Sequence, residues 1–365
     1  MIEDAVADRL DAGRSKVGIL SFAHYHANFW SEVFASRGAL AGIWDDDAVR
    51  GREAGQRFGV AYHDDLDTLL TGCTAVAICS ETSGHLALVE QAAARGLAIL
   101  TEKPIAATLA DAQRIAQVVR RHRTVFMQSF PKRFDPVSQY LKSLVDDGAL
   151  GRLSLVRIRH GHSYGLDPEF RNRWYVQPDL AGGGALLDEG IHGADLLAWL
   201  FGLPDSVTAV TSNAALGLAV EDLGIATFRY ASGLLAELTA SFTFAAADVS
   251  IELYGSGGTV LVSAVDLASR DITTADFVRI YRRAPSPDGG AGMDPSAGQP
   301  RWTTVPLTPR FKLGGFHQQN ALAFLDCLER GTPSPITVDD GLRALQMIDG
   351  AYRAARSGQR QDFMR

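Results

Sequence analysis

The stretch ILSFAHYHANFW, Ile19 to Trp30, decides how the whole chain is read. Lys16-Val17-Gly18-Ile19-Leu20 enters it as an apolar run of strand character, and His26 onward carries helical spacing. A strand that turns straight into a helix is where a glycine-rich phosphate turn is expected. Glycine serves there for backbone conformation at the first position and for close approach to a pyrophosphate at the second. Ser21 and Ala23 hold those positions here, and His26 holds the third, which ordinarily packs helix on strand. Ser21 and Ala23 are the next-smallest choices, and the Ser21 hydroxyl offers a phosphate a hydrogen bond. The reading is a substituted dinucleotide turn over Ser21, Phe22, Ala23 and His24. His24 and His26 are further candidates to touch the pyrophosphate or the substrate.

Outward from that turn, short apolar runs alternate with amphipathic segments. Val17–Leu20, Leu40–Trp44, Ala75–Cys79, Ala98–Leu100 and Thr124–Gln128 read as strands, and His26–Arg37, Ala48–Phe58, His85–Arg95 and Leu109–Arg121 as helices. Such alternation predicts βαβ units and a parallel sheet over residues 16–130, behind an N-terminal extension, 1–15. After Pro131 the pattern changes. A helix from about Pro136 to Asp147, a strand over Leu153–His160 and a helix from about Gly184 to Leu200 precede a run of strands between Val207 and Ser263. Residues 131–365 therefore read as an α+β domain with a large, mostly antiparallel open sheet, closed by helices within 316–356. Pro285–Pro300, rich in Gly, Pro, Ser and Asp, reads as an excursion between strands.

Bulk properties narrow the partners. The chain has 365 residues, a net charge of −7 and 21% charged residues. That acidic balance, without a long Lys/Arg run, argues against nucleic acid or an anionic membrane. No apolar stretch is long enough for a membrane span, and Met1–Ser15 has no secretory-signal pattern. Cys73, Cys79 and Cys327 are odd in number and far apart, which fits free thiols in a reducing cytoplasm.

A doubly wound sheet binds ligands beyond the carboxyl ends of its strands, and four such ends carry candidate residues. Asp45 follows the second strand, where a carboxylate accepts hydrogen bonds from ribose hydroxyls; a solvated acidic loop is the other reading. With Asp46 adjacent and no arginine seen close by, a 2′-phosphate would be repelled and NAD favoured over NADP. Ser80, Glu81 and His85 follow the next strand, and Glu102-Lys103-Pro104 the one after, with Lys103 presented at the mouth of the cleft. The second constellation is Gly182–Asp195. On one continuous helix Asp188 and His192 would be i,i+4 neighbours, with Asp195 a turn further on. A third metal ligand is not evident beside them, so no metal is assigned. A carboxylate orienting a titrating imidazole fits better, because histidine serves as a general base near neutral pH. A capped helix with a surface histidine is the alternative.

In this order and spacing, the pieces resemble the glucose–fructose oxidoreductase/inositol dehydrogenase/MocA (Gfo/Idh/MocA) family. The resemblance runs through Glu102-Lys103-Pro104, Arg133-Phe134-Asp135-Pro136, Gly148–Leu153, Gly182–Asp195, Gly331-Thr332-Pro333 and Asp339–Leu342. It implies a Rossmann domain, a second domain whose sheet commonly mediates homo-oligomer formation, and NAD(P)-dependent redox chemistry on sugars, polyols and related compounds. It also implies Lys103, Asp188 and His192 as the active-site lysine, carboxylate and general base. Arg171, Arg173, Trp174 and Tyr175 fall in a segment that helps wall the family's substrate pocket, and His160, His162 and Tyr164 are similar candidates. The departures are the missing glycines at Ser21–His26, Ser80-Glu81-Thr82 in place of Thr-Pro-Asn, and the acidic Glu189 within Asp-x-Gly-x-His. A redox-neutral lyase or hydrolase that keeps NAD bound, and a non-catalytic sugar sensor, are the competing functions. Retention of Lys103, Asp188 and His192 together argues against the sensor.

Overall fold

The structure, a computed structural model, describes residues 15–245, 249–265, 277–282, 302–307 and 315–363. Residues 1–14 and the Pro285–Pro300 excursion lie outside the described residues.

Six parallel strands form the first sheet: β1 (Val17–Leu20), β2 (Leu40–Trp44), β3 (Tyr62–His63), β4 (Ala75–Ile78), β5 (Ala98–Thr101) and β6 (Phe126–Gln128). Their order is β3-β2-β1-β4-β5-β6. Every residue of β1, β4 and β5 is buried, as expected where helices cover both faces. Those helices are α1 (His26–Ser36), α2 (Ala48–Phe58), α3 (Leu66–Thr71), α4 (His85–Ala94) and α5 (Leu109–His122). The two-residue β3 and six-residue α3 escape the sequence reading because neither is long enough to show a period. The order reverses between β1 and β4, which opens the ligand crevice beside the Ser21 turn.

The second sheet has nine strands. After α6 (Pro136–Asp146) come β7 (Leu153–Gly161), α7 (Pro178–Ala181), α8 (Ala185–Asp188), α9 (Gly190–Phe201), β8 (Ser206–Ser212), β9 (Leu223–Arg229) and β10 (Leu235–Ser241). Then follow β11 (Val249–Gly255), β12 (Gly258–Val265), β13 (Val278–Arg282), β14 (Trp302–Val305), α10 (Gly315–Arg330), α11 (Val338–Ser357) and β15 (Gln361–Asp362). The strand order is β14-β13-β12-β11-β7-β10-β9-β8-β15, and the β7–β10 pair is the parallel seam in an otherwise antiparallel array. Burial alternates strictly along β9, so one face packs on helices and the other looks outward. Helix α9 lies close on the inner face: a Cβ at Gly193 would stand 2.3 Å from Leu238 Cδ1, so any side chain there requires Leu238 to move.

Two features join the halves and aim the site. Helices α10 and α11 pack on α1 and α5 of the first unit as well as on their own domain. Buried Arg133 bonds Asp195 through Nε (3.0 Å) and Nη2 (2.6 Å) and reaches Asp340 at 3.1 Å, tying the inter-domain turn to α9 and α11. Asp195 is therefore a structural partner of Arg133. The single helix expected from Gly184 to Leu200 is two helices, α8 and α9, interrupted at Glu189. Among the described residues, no helix is long and apolar enough to cross a membrane.

Candidate active site

The turn after β1 keeps a glycine's backbone without the glycine. Ser21 has φ 74°, in the left-handed region that side chains other than glycine, Asn and Asp rarely visit. Its own bonds hold it there: the amide donates to Trp44 O (2.7 Å), and Oγ accepts from Ala23 N–H (3.1 Å). Phe22 N–H donates to Asp45 Oδ2 at 2.7 Å, coupling the turn to the end of β2.

Asp45 is not free of arginine. Arg50, in the first turn of α2 just after its Asp47 cap, grips Asp45 through Nε (2.9 Å) and Nη2 (2.7 Å). Its Nη2 also donates to Asp46 (2.8 Å) and to Ser21 Oγ (3.1 Å), and Glu81 lies 3.6 Å from Nη1. This corrects the expectation of no nearby arginine. Partial burial lowers the Arg50 pKa, but Asp45, Glu81 and Asp46 outweigh it and raise it, so the guanidinium stays charged.

A groove of about 490 Å³ runs along this turn, lined by Phe22, Ala23, Arg50, Arg57, Arg173 and Trp174 among others. Trp174 Nε1 donates to Ala23 O at 3.0 Å, closing the loop of the second domain over the turn. Tyr25, the N-cap of α1, lines the groove and makes no side-chain cap bond, so the helix N-terminus adjoins it. A Gly-type turn, a helix N-terminus, three arginines and a carboxylate at the end of β2 fit a dinucleotide. Ser80 instead bonds Glu81 O (3.0 Å), and buried His85 approaches Ile105 O (3.3 Å) through Nδ1.

A second, smaller cavity of about 120 Å³ adjoins the groove, with Tyr164 and Tyr175 lining both. It gathers Lys103, Asp188, His192, His160, His162, Glu189 and His24, whereas Arg173 and Trp174 line only the groove. Arg171 bonds Leu216 O away from both. The short helix α8 delivers Asp188, braced because Glu221 accepts from Gly184 N–H and Leu186 N–H (2.9 Å) and from Tyr352 Oη (2.6 Å). A Cβ at Gly184 would stand 2.1 Å from Glu221 O, so glycine is required there.

The charges pair differently from the continuous-helix reading. Lys103 Nζ donates to Asp188 Oδ1 and, at 3.0 Å, to Asp188 O. Burial lowers the Lys103 pKa, but Asp188, Glu189 and Glu102 outweigh it and raise it, so Lys103 is an ammonium donor. Asp188 thus holds Lys103 through its carboxylate and its backbone carbonyl. Glu189 turns to the histidines: Oε2 is 2.8 Å from His160 Nδ1 and Oε1 3.5 Å from His162 Nε2. Glu189 is thus the carboxylate partner of His160 and lies near His162, while His160 Nε2 has no partner. Burial lowers the His160 pKa to about 4, with Lys132 adding to the effect. Burial also holds His192 well below its ordinary value, aided by His160 and Lys103, and its Nδ1 has no partner. The rings of His160 and His192 lie 4.9 Å apart.

Sequence reasoning missed Arg50, although its position four residues after Asp46 on a helix start was a usable signal. It also missed Lys132, Phe316 and His317, which line the small cavity. His317 sits at the start of α10, where no strand end announced it.

A doubly wound sheet with a dinucleotide groove, joined to a large sheet whose helices close a cavity against it, defines an NAD-binding oxidoreductase of the two-domain kind. Residues 17–130 match the oxidoreductase family with an NAD-binding Rossmann fold, and residues 138–261 match the GFO/IDH/MocA C-terminal domain. The chain is 30% identical over 335 residues to inositol 2-dehydrogenase 1 of Saccharopolyspora erythraea, covering 87% of each. It is 27% identical over 357 residues to D-apiose dehydrogenase of Paraburkholderia graminis, covering 94% of this chain and 87% of that one. The structure of levoglucosan dehydrogenase in complex with NADH superposes with a TM-score of 0.81 at 20% identity, covering 97% of this chain and 100% of the other. The chain belongs to the GFO/IDH/MocA oxidoreductase family.

Proposed function

We propose that this protein is an NAD-dependent dehydrogenase that oxidises a carbinol carbon of a sugar, polyol or related compound. The observation that carries the reading is the small cavity itself. It sets a charged Lys103, clamped by Asp188, in the same enclosure as a neutral His192 with an open ring nitrogen.

When bound, the nicotinamide supplies the hydride acceptor. The chain's residues do the rest. Neutral His192 takes the hydroxyl proton as general base, and Lys103 stabilises the developing alkoxide by charge and hydrogen bond. Asp188 fixes Lys103 in position. In the reverse direction protonated His192 is the acid. His160 and Tyr164 line the cavity as substrate contacts, and Arg173 and Trp174 act from the neighbouring groove, over the Ala23 turn.

NAD is preferred over NADP. Around the expected ribose site Asp45, Asp46 and Glu81 oppose Arg50, whose Nε and Nη2 donors are held by Asp45, Asp46 and Ser21. Relatives named for inositol and D-apiose support a polyhydroxylated substrate. Val210, Ile225 and Leu235 are exposed on the second sheet, which supports assembly of copies through that sheet. Free Cys73, Cys79 and Cys327 support a reducing, cytoplasmic setting.

The test is NADH formation with a panel of sugars, polyols and sugar acids, repeated with NADP. Turnover of at least one panel member with NAD, and slower turnover with NADP, is expected. No turnover across the panel, or faster turnover with NADP, would contradict the reading.

A further inference from the structure

Six of the nine histidines line the small cavity, and the proposed reaction uses only His192 as a base. Two of the others share a corner with a carboxylate. His24 and His26 stand on the turn after β1, and Glu102 follows β5. One ligand-type atom from each lies within 4.8 Å of the other two, and all three residues are buried. Donors to one cation at about 2.0–2.2 Å sit roughly 3–4 Å apart. Small side-chain rotations therefore close these groups onto an ion, with no movement of the sheet.

Glu102 already accepts at both oxygens, from Lys103 N–H at Oε2 (2.7 Å) and from Ser129 Oγ at Oε1 (3.3 Å), so it can offer an ion the second lone pair of Oε2 and the lone pair of Oε1 that faces His26. His26 Nδ1 lies 2.7 Å from Glu102 Oε1, a contact in which an ion would take the place of the shared proton. His24 Nδ1 accepts only a long 3.3 Å bond from His26 N–H. A further nitrogen comes from α10. The His317 ring centroid is 3.6 Å from that of His26, and its buried Nδ1 has no partner. A buried polar atom without a partner calls for something the chain does not itself supply, such as a water or an ion.

We infer that His24, His26 and Glu102, with His317 as a further donor, form a site for a divalent transition-metal ion of the Zn²⁺ class. Imidazole nitrogens with one carboxylate suit zinc and its late first-row neighbours; magnesium and calcium prefer all-oxygen sets. The Lys103 ammonium is the opposing charge at this corner; Asp188 offsets part of it, and the Glu102 carboxylate would balance the ion directly. The inference also accounts for the oddest residue of the opening stretch. The position that ordinarily takes a small residue carries His26, so the substitution that removes a glycine installs a ligand. The second metal-like group, His162, Asp188 and Glu189, is the weaker candidate because Asp188 is already bound by Lys103.

Metal binding is read without turnover, so it fails or succeeds independently of the dehydrogenase assignment. The full chain, treated with chelator and dialysed, is titrated with Co²⁺ by visible absorption and with Zn²⁺ by calorimetry. About one equivalent of each should bind, Co²⁺ showing the intense bands of a tetrahedral site. His24→Asn and His26→Asn should each weaken binding roughly 100-fold, and His162→Asn less than about threefold. Absence of stoichiometric binding by the unmodified chain overturns the inference. So does binding that survives both turn substitutions and is lost in His162→Asn.

Discussion

The turn after β1 and the segment from Gly182 to Asp195 depart from their motifs in opposite ways. At the turn the side chains differ and the backbone remains: Ser21 holds φ 74°, the conformation for which glycine is ordinarily selected. At the second segment the residues are present but the backbone differs. The chain breaks at Glu189, and Asp188, Glu189 and Asp195 leave in three directions, to Lys103, to His160 and His162, and to Arg133. Residue identity and backbone path carry a site separately. A motif missing its letters can keep its geometry, and a motif with all its letters can pair its charges in unexpected ways.

The sharpest way to break this contrast is to remove the groups that the second segment and the end of β5 bring together. His192→Asn and Lys103→Ala should each lower kcat by about 10³-fold, the range for loss of a general base or of an alkoxide-stabilising donor. Steady-state kinetics with NADH binding by fluorescence checks both. If Asp188 acts through Lys103, Asp188→Asn should lower kcat with little change in the pH midpoint of the reaction. A shift of that midpoint would put Asp188 back beside His192.

The cofactor side of the comparison should respond less. Asp45→Ala removes a carboxylate that would bond ribose, and should reduce the NAD-over-NADP ratio in kcat/KM by about 10–100-fold. It also frees Arg50 to meet a 2′-phosphate, so both changes act in the same direction.

Acid should loosen the small cavity. Folded His160, with a pKa of about 4, and His192, also lowered, stay neutral where their unfolded counterparts protonate near 6.5. The unfolded state then binds more protons, so stability is full above that pH and falls as pH drops below it. Each group contributes about 1.4 kcal/mol per pH unit within its window, which for His160 runs from about 6.5 to about 4. A falling Tm between neutral pH and pH 5 is expected, and a flat profile would contradict it.

The smallest effect belongs to Ser21. Ser21→Gly relieves the left-handed backbone but loses the hydroxyl's bonds, so unfolding free energy should change by less than about 1 kcal/mol. Ser21→Val should cost about 2 kcal/mol or more, since a β-branched residue suits this φ poorly. Denaturant melts of the pair test whether conformation, rather than chemistry, holds the turn.

Long strands and helices were legible because their periods repeat: β1, β2 and α2 fall at the expected residues, while β3 and α3 are too short to leave a pattern. Strand ends announced Asp45 and Lys103, because a parallel sheet fixes where ligands approach. The break at Glu189 was hidden, since nothing in Leu-Asp-Glu-Gly-Ile marks where α8 must yield to let α9 lie on β10. Arg50 reaches Asp45 by side-chain length alone, and His317 reaches the cavity because α10 packs on α1. The first is a local contact that spacing could have shown, whereas the second depends on tertiary approach, which periodicity does not encode.

The central claim is that Lys103 and His192 act on a substrate hydroxyl beside a dinucleotide. Single-turnover hydride transfer, with enzyme premixed with NAD and a substrate found in the panel, tests it most directly. A rate about 10³-fold slower in His192→Asn and in Lys103→Ala, with NADH affinity held within about threefold, is the predicted result. Near-normal transfer in both variants would contradict it.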